Sequence, residues 1–269
     1  KASLATSLPP LLQKANADDI SLIQEMVYGC VRYYIQLNLL SKALLHKALS
    51  KRDMDIQALL LLGIYQLKHM QIPDHAAVTE TVNASYASGK TWAKGLLNGV
   101  LRQYQRDRQA LIDRLCKQPD FINNHPHWLV AKLQHHWPQY WQNILAVNDQ
   151  RAPMTLRVNQ RRVTVAEYLQ NLQQQQIMAT PCNESRYGLI LAQACRVIKL
   201  PGFAQGWVSV QDEAPQLTGY LLQLQDGQRV LDACAAPGGK TCQLLEMAQL
   251  DLIAVDSEPN RLQLVQQNL

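Results

Sequence analysis

VLDACAAPGGKT, at residues 230–241, is the stretch of this sequence that decides the fold. It predicts a short strand over residues 229–232, a tight turn at Pro237, Gly238 and Gly239, and a helix that begins near Lys240. A strand, a glycine turn and a helix in this order are typical of α/β folds that hold a nucleotide-like ligand at the carboxyl end of the first strand. Because glycine has no Cβ, the two glycines let the backbone approach such a ligand closely.

The spacing of the glycines excludes two common nucleotide loops. A Walker A loop requires glycine five residues before Gly239, where this chain has Cys234, and the G-x-G-x-x-G pattern of dinucleotide sites is absent. A second strand is predicted at residues 252–256, and it ends on Asp256, 17 residues after Gly239. An acid at about this offset binds ribose hydroxyls in doubly wound folds. Alone, Asp256 can equally be the N-cap of a helix that follows Glu258; together with the glycine turn, the ribose role is favoured.

The motif ACAAPGGKT, followed by AVD and RLQLVQQNL, resembles the first two cofactor motifs of S-adenosylmethionine-dependent RNA cytosine-C5 methyltransferases. The resemblance implies that Asp256 holds the cofactor ribose. It also implies a set of residues around the methionine end of the cofactor: Cys234, Ala235, Ala236, Pro237, Gly238, Gly239 and Lys240. In that family the catalytic thiols lie in later Pro-Cys and Thr-Cys motifs. The nucleophilic cysteine is therefore expected after Leu269, and the 269 residues alone are expected to be inactive.

The length of the chain allows about two domains. The chain is 47% apolar but has no run of about 18 apolar residues, so no membrane span is predicted. It has no secretion signal, and its start without Met predicts that it lies inside a longer protein. Six dispersed cysteines predict reduced thiols in the cytoplasm, without a disulfide frame or zinc site. The spacing of His125, His127, His135 and His136 fits no common metal site, so no metal is expected.

Charge is spread unevenly along the chain. Residues 1–118 hold 15 basic and 9 acidic residues, a net +6, whereas residues 226–269 hold 3 and 6, a net −3. A basic front joined to an acidic cofactor module favours a front that binds a polyanion. On charge alone, ordinary solvated helix faces explain the pattern equally well.

Residues 1–118 are predicted to be entirely helical. The apolar run at residues 57–67 indicates a central buried helix, and Leu97, Val100, Leu101 and Tyr104 share one face of a helix that follows Gly95. Residues 72–103 resemble the NusB-like RNA-binding domain that is fused to some of these methyltransferases. The resemblance implies RNA docking, with five candidate phosphate contacts: Lys90, Lys94, Arg102, Arg106 and Arg108.

Residues 119–150 are predicted to be a helical connector, in which Trp128, Trp137 and Trp141 are expected to serve packing rather than base stacking. Residues 151–225 are predicted to be a small α+β domain, with a half-buried strand at residues 154–158. LRVN and GWVSVQDEAPQL resemble the RNA-contacting region of the same family. The candidate RNA contacts there are Arg157, Arg161 and Arg162, and Arg157 can equally pair with a carboxylate.

The combined hypothesis is a monomeric multidomain protein: a NusB-like all-α domain at residues 1–118, the connector, the small domain, and at residues 226–269 the start of a doubly wound α/β methyltransferase domain. This order resembles bacterial enzymes that methylate C5 of a cytosine in 16S ribosomal RNA through a cysteine–RNA intermediate. The alternative is a non-catalytic RNA-binding protein with a vestigial cofactor motif. The intact PGGK turn and Asp256 favour the enzyme.

Overall fold

The computed structural model describes residues 3–269 and divides the chain into two compact units. The first unit runs to Arg151 and the second spans Ala152–Leu269. Within the described residues, no helix has both the length and the apolar character needed to cross a bilayer.

The first unit is helical throughout the range that the structure describes. A short 3₁₀ turn, Lys51–Asp53, precedes the fourth of its helices. The helices are α1 (Leu4–Leu12), α2 (Ile20–Arg32), α3 (Tyr34–Leu44), α4 (Met54–His69), α5 (Asp74–Ala87), α6 (Ala93–Leu115), α7 (Pro119–Asn123), α8 (His127–His136) and α9 (Trp141–Asn148). The all-helical prediction for the front of the chain is thus confirmed for residues 3–118.

Helix α4 lies at the centre of the first core, as its apolar run predicts. Ile56, Leu60 and Ile64 are fully buried, and the inner face of α6 packs in the same cluster through Leu97 and Tyr104. Helix α6 begins at Ala93, three residues before the predicted start after Gly95. Burial of these side chains is the main stabilising contribution to the unit.

The segment at residues 119–150 packs against the early helices of its unit. Asn124, in a left-handed conformation, donates from Nδ2 to the Arg32 carbonyl and to Asp149 Oδ1, each at 2.8 Å. The packing prediction is wrong for Trp128 and Trp137, which are 64% and 55% exposed. Helix α8 turns Val130 inward, and a residue two positions away on a helix lies on the other side.

The second unit opens with an antiparallel four-stranded sheet in the order β2-β3-β1-β4. The 3₁₀ turn Val197–Lys199 precedes its last strand. The elements are β1 (Thr155–Val158), α10 (Val165–Gln174), β2 (Ala179–Pro181), β3 (Gly188–Leu191), β4 (Val208–Val210) and α11 (Glu213–Leu221). The small α+β fold is therefore as predicted.

Strand β1 is buried on both faces, so the prediction of a half-buried strand is wrong. Leu156 packs in the core with Tyr168 of α10. The opposite face carries Arg157, which is covered by the helix that follows the glycine turn and bonds to Glu246 there. A strand between two layers loses the polar face that its alternating sequence suggests.

The last elements are β5 (Arg229–Asp232), α12 (Gly239–Met247), β6 (Asp251–Ala254) and α13 (Pro259–Asn268). Strands β5 and β6 pair in parallel, with Val230 opposite Leu252 and Asp232 opposite Ala254. This confirms the predicted strand–helix–strand unit and brings the carboxyl ends of both strands to one edge. Strand β6 ends two residues before Asp256, which lies in the loop beyond it.

Candidate functional site

The PGGK turn joins β5 to α12 at the carboxyl edge of the parallel pair. Gly238 has a φ of +109°, and a Cβ placed there would lie 3.1 Å from the Val265 Cα of α13. Only glycine combines this backbone conformation with such close packing. The structure therefore requires Gly238 for the turn itself, whether or not a ligand is bound.

Three backbone N–H groups at the start of α12 donate no hydrogen bond within the described residues. Gly239, Lys240 and Thr241 have no acceptor for their N–H among residues 3–269, whereas Cys242 already donates to the Gly238 carbonyl at 2.8 Å. A Cβ on Gly239 would meet only Gln211, at 3.9 Å, so the approach to these donors is open. Free N–H groups and the positive end of the helix dipole favour an anionic group.

Asp256 lies beside this turn and is tied to it. Its Oδ2 accepts from the Ala236 N–H at 2.9 Å and its Oδ1 from the Glu258 N–H at 3.1 Å. These backbone hydrogen bonds, first that from Glu258 and then that from Ala236, hold the pKa of Asp256 below its usual value. The side chain is therefore ionised at neutral pH. The N-cap of α13 is Glu258, so the structure does not assign Asp256 that position.

Asp232 is a second carboxylate at this edge, and the sequence analysis did not single it out. Its Oδ2 accepts from Thr241 Oγ1 at 2.7 Å and its Oδ1 from the Cys234 N–H at 3.3 Å. These contacts fasten both ends of the turn. The available signal was its place as the last residue of β5, where carboxyl ends of parallel strands meet.

Arg157 is a structural anchor of the same turn and not an RNA contact. Its side chain is 2% exposed and pairs with Glu246 through Nε at 3.0 Å and Nη2 at 2.7 Å. Nη1 donates to the Gly239 carbonyl at 2.8 Å and also to Gln211 Oε1. A buried arginine without exposed donors has no surface for a phosphate. The carboxylate pairing that the sequence left open is the arrangement in the structure.

The two other arginines proposed in the small domain differ from one another. Arg161 donates from Nε to the Glu246 carbonyl at 2.9 Å, so part of its side chain braces α12. Arg162 is exposed and makes no side-chain hydrogen bond within the described chain. Only Arg162 is therefore fully available to an external partner.

The five candidate phosphate contacts of the first unit fall into two groups, those that bind their own unit and those that are exposed. Lys90 pairs with Asp53 at 3.0 Å and Asp55 at 2.7 Å, and Arg108 donates to the Leu67 carbonyl. These two side chains hold neighbouring segments of their own unit. The remaining candidates are exposed on α6: Lys94, Arg102 and Arg106.

Burial disfavours the thiolate form at three of the six cysteines. It raises the pKa of Cys30 to about 12 and that of Cys182 to about 11, and it also raises the pKa of Cys242. Since the thiolate is the nucleophile, burial makes these three thiols poor candidates for that role. Cys116 and Cys234 are exposed.

Across residues 3–269, no cluster of three or more His, Cys, Asp or Glu is arranged to hold a metal ion.

Three family models match successive parts of the chain. The model of the NusB family matches residues 1–106. The ferredoxin-like domain of RsmF/B-like methyltransferases matches residues 125–198, and the model described as 16S rRNA methyltransferase RsmB/F matches residues 219–269. The last match contains the PGGK turn, Asp232 and Asp256.

Curated relatives match along the whole chain. The proteins named ribosomal RNA small subunit methyltransferase B from Pseudomonas putida and Pseudomonas syringae pv. tomato are each 48% identical over 271 aligned residues. These alignments cover 100% of this chain, but only 62% and 60% of those proteins. The chain thus spans about three fifths of their length.

The solved structure of the protein PH0851 shares the fold. Its TM-score is 0.73 at 16% identity, over 94% of this chain and 58% of that one. This likeness bears on the fold alone. By the three family models in this order and the relatives of 48% identity, the chain is similar to the methyltransferases of the RsmB/F family along its whole length.

Proposed function

We propose that the protein is an S-adenosylmethionine-dependent methyltransferase that acts on C5 of a cytosine in 16S ribosomal RNA. The names of the relatives support the RNA substrate class and the reaction type. The single observation that carries the proposal is the PGGK turn, whose three free N–H groups lie beside the ionised Asp256.

The residues at the turn fit the proposed cofactor. The N–H groups of Gly239, Lys240 and Thr241 suit the carboxylate of its methionine end, because they supply donors and a positive helix terminus. Each Asp256 oxygen already accepts one hydrogen bond and has a further lone pair for a ribose hydroxyl. When bound, the cofactor supplies a methyl group on a positively charged sulfur. A vestigial site would have no need to keep these donors open and this carboxylate charged.

Transfer to C5 of cytosine also requires a thiolate. C5 is a poor nucleophile until a thiolate adds to C6; C5 then takes the methyl group, and loss of its proton releases the thiol. Cys30, Cys182 and Cys242 are held as thiols, and Cys234 lies in the turn itself. Following the family resemblance, in which the catalytic thiols lie in later Pro-Cys and Thr-Cys motifs, we place the nucleophile after Leu269. The part played by this chain is to hold the cofactor and to bind RNA.

A methylation assay tests this proposal. The full-length protein encoded by the gene is incubated with unmodified 16S ribosomal RNA and S-adenosylmethionine that carries tritium in its methyl group. We expect the label in 5-methylcytosine after digestion to nucleosides. Binding of the RNA without any label in it favours the non-catalytic alternative, and label in another nucleoside contradicts the cytosine-C5 assignment.

A further inference from the structure

Helix α6 has an outer face that no other part of its unit covers between residues 3 and 151. Its inner face is fixed by buried residues: Ala93, Leu97, Val100, Leu101 and Tyr104. On the opposite side, at helical spacings of four, three and four, lie Gly95, Gly99, Arg102 and Arg106, all exposed. Trp92 continues this stripe at the N-terminal end, because it has helical φ and ψ values.

The packing of the described residues does not require glycine at Gly95 or Gly99. Glycine inside a helix is less favourable than alanine, and a Cβ on Gly95 or Gly99 would meet nothing within 4 Å. Gly63 of α4 is different, since a Cβ there would lie 2.8 Å from Leu101. The missing side chains of Gly95 and Gly99 therefore leave helix backbone open on the outside, where something can approach it closely.

The charge of this face selects an anionic partner. From Ala93 to Arg106 the helix holds three basic residues and no acidic one. Neither Arg102 nor Arg106 takes part in an ion pair within the described part of the chain. Both guanidinium groups are thus available to phosphates, which arginine binds through two parallel hydrogen bonds.

Aromatic rings lie at the other end of the stripe. Trp92 is 55% exposed and Tyr86 is 45% exposed, although such large rings usually pack inside a protein. The Lys94 ammonium lies 5.6 Å from the centre of the Tyr86 ring and places a positive charge beside that ring. Exposed rings next to cations are the combination on which unpaired bases stack.

We propose that Trp92, Gly95, Gly99, Arg102 and Arg106, here called the outer α6 face, bind single-stranded RNA. The sugar–phosphate backbone lies over the glycines, its phosphates bind the two arginines, and an unpaired base stacks on Trp92. The stripe spans 15 residues, from Trp92 to Arg106, or about 21 Å along the helix axis. The inference rests on the proposed function, because it names the part of the first unit that contacts the RNA substrate.

The test measures RNA affinity of the 269-residue chain by fluorescence anisotropy. The probe is a labelled, unstructured 12-nucleotide RNA, and the variants are Gly95→Leu/Gly99→Leu, Trp92→Ala and Arg102→Glu/Arg106→Glu. We expect each to weaken binding about tenfold or more, since a side chain blocks the backbone, the stacking ring is lost, or the charge is reversed. The glycine variant should also raise the thermal midpoint, because leucine favours the helix.

Matched controls lie on other surfaces of the same unit. Ala131→Leu/Ala146→Leu places the same leucine side chains at exposed positions of α8 and α9. Lys14→Glu/Lys132→Glu makes the same change of charge at exposed sites outside α6. Both controls should keep affinity within about twofold of the unmodified chain. The RNA affinity of the unmodified chain should fall steeply between about 50 and about 200 mM salt, because each neutralised phosphate releases a counterion.

Three results would overturn the inference. The first is an unmodified chain that binds no RNA, and the second is a glycine variant that binds as tightly as the unmodified chain. The third is an equal loss in the controls. None of them touches the proposed methyl transfer, which is read from label in ribosomal RNA. An enzyme that methylates RNA normally with a blocked outer α6 face would refute this inference alone.

Discussion

Arg157 shows how a single residue supports the site, and its partner could not be predicted from the sequence. The sequence places Arg157 in a strand whose motif, LRVN, resembles an RNA-contacting segment. Its partner is therefore predicted to be either an RNA phosphate or a carboxylate of the protein. Its actual partner, Glu246, lies 89 positions along the chain, and no local pattern points to it. The pair fastens α12 to β1, and the same guanidinium holds the Gly239 carbonyl at the start of the helix.

Replacing Arg157 by leucine should destabilise the second unit by about 3–5 kcal/mol, because Glu246 is left as an unpaired buried charge. The double variant Arg157→Leu/Glu246→Leu should recover a large part of this loss. Urea unfolding of the four members of this double-mutant cycle gives the coupling energy. Additive single losses, with no recovery in the double variant, would show that the pair does not act as a unit.

His69 provides a pH-dependent element in the first unit. It stacks on Tyr33 with 4.0 Å between ring centroids, and burial lowers its pKa to about 4. Its buried Nε2 has no hydrogen-bond partner among the residues that the structure describes. In the unfolded chain His69 binds a proton once the pH falls below its usual pKa of 6.5, whereas in the folded chain it stays neutral until the pH approaches 4. This contribution to stability is complete above pH 6.5 and is lost as the pH falls toward 4.

We therefore expect His69→Phe, which keeps the stacked ring, to unfold with a smaller pH dependence than the wild type. The urea midpoint at pH 7 and at about pH 4.5 measures this, with every other titrating group unchanged between the two proteins. If both proteins lose the same stability on acidification, His69 is not buried as the structure has it.

At the scale of elements, the sequence predicts what local pattern controls. The strand–turn–helix–strand order and its parallel pairing follow from short apolar runs, glycines and the known rule for such units. Burial depends on what packs from elsewhere, so the pattern fails for β1, which lies between two layers. It also fails for Trp128, which a short helix turns outward. Asp256 and the glycines can be proposed as site residues from the local pattern, whereas the contacts of Asp232 and Arg157 require the tertiary structure.

The turn gives a prediction at this scale. Gly238→Ala puts a Cβ 3.1 Å from the Val265 Cα at a φ of +109°, so α12 and α13 must separate. We expect faster hydrogen exchange of the amides of α12, measured by mass spectrometry, and a stability loss of about 1–3 kcal/mol. Gly227→Ala is the matched control, because its φ is also positive but its Cβ meets nothing within 4 Å. Equal effects of the two substitutions would show that strain, and not packing on α13, sets the requirement at Gly238.

At the scale of the whole molecule, the chain joins two units of different chemistry. The front carries the net positive charge and the outer α6 face, whereas the end carries the acidic module with the PGGK turn. The family models follow the same order, since the NusB model matches the front and the RsmB/F model matches the end. In the proposed function, phosphate contacts of the front position the RNA and the turn at the end holds the methyl donor.

The most direct measurement of the central claim is the amount of 5-methylcytosine in 16S ribosomal RNA of the source organism after deletion of the gene. Bisulfite sequencing should show one cytosine that loses its methyl group. The wild-type gene should restore it, an Asp256→Ala allele should not, and a conservative Arg162→Lys allele should. An unchanged methylation pattern after deletion, or full restoration by Asp256→Ala, would contradict the assignment of the PGGK turn and Asp256 to the cofactor.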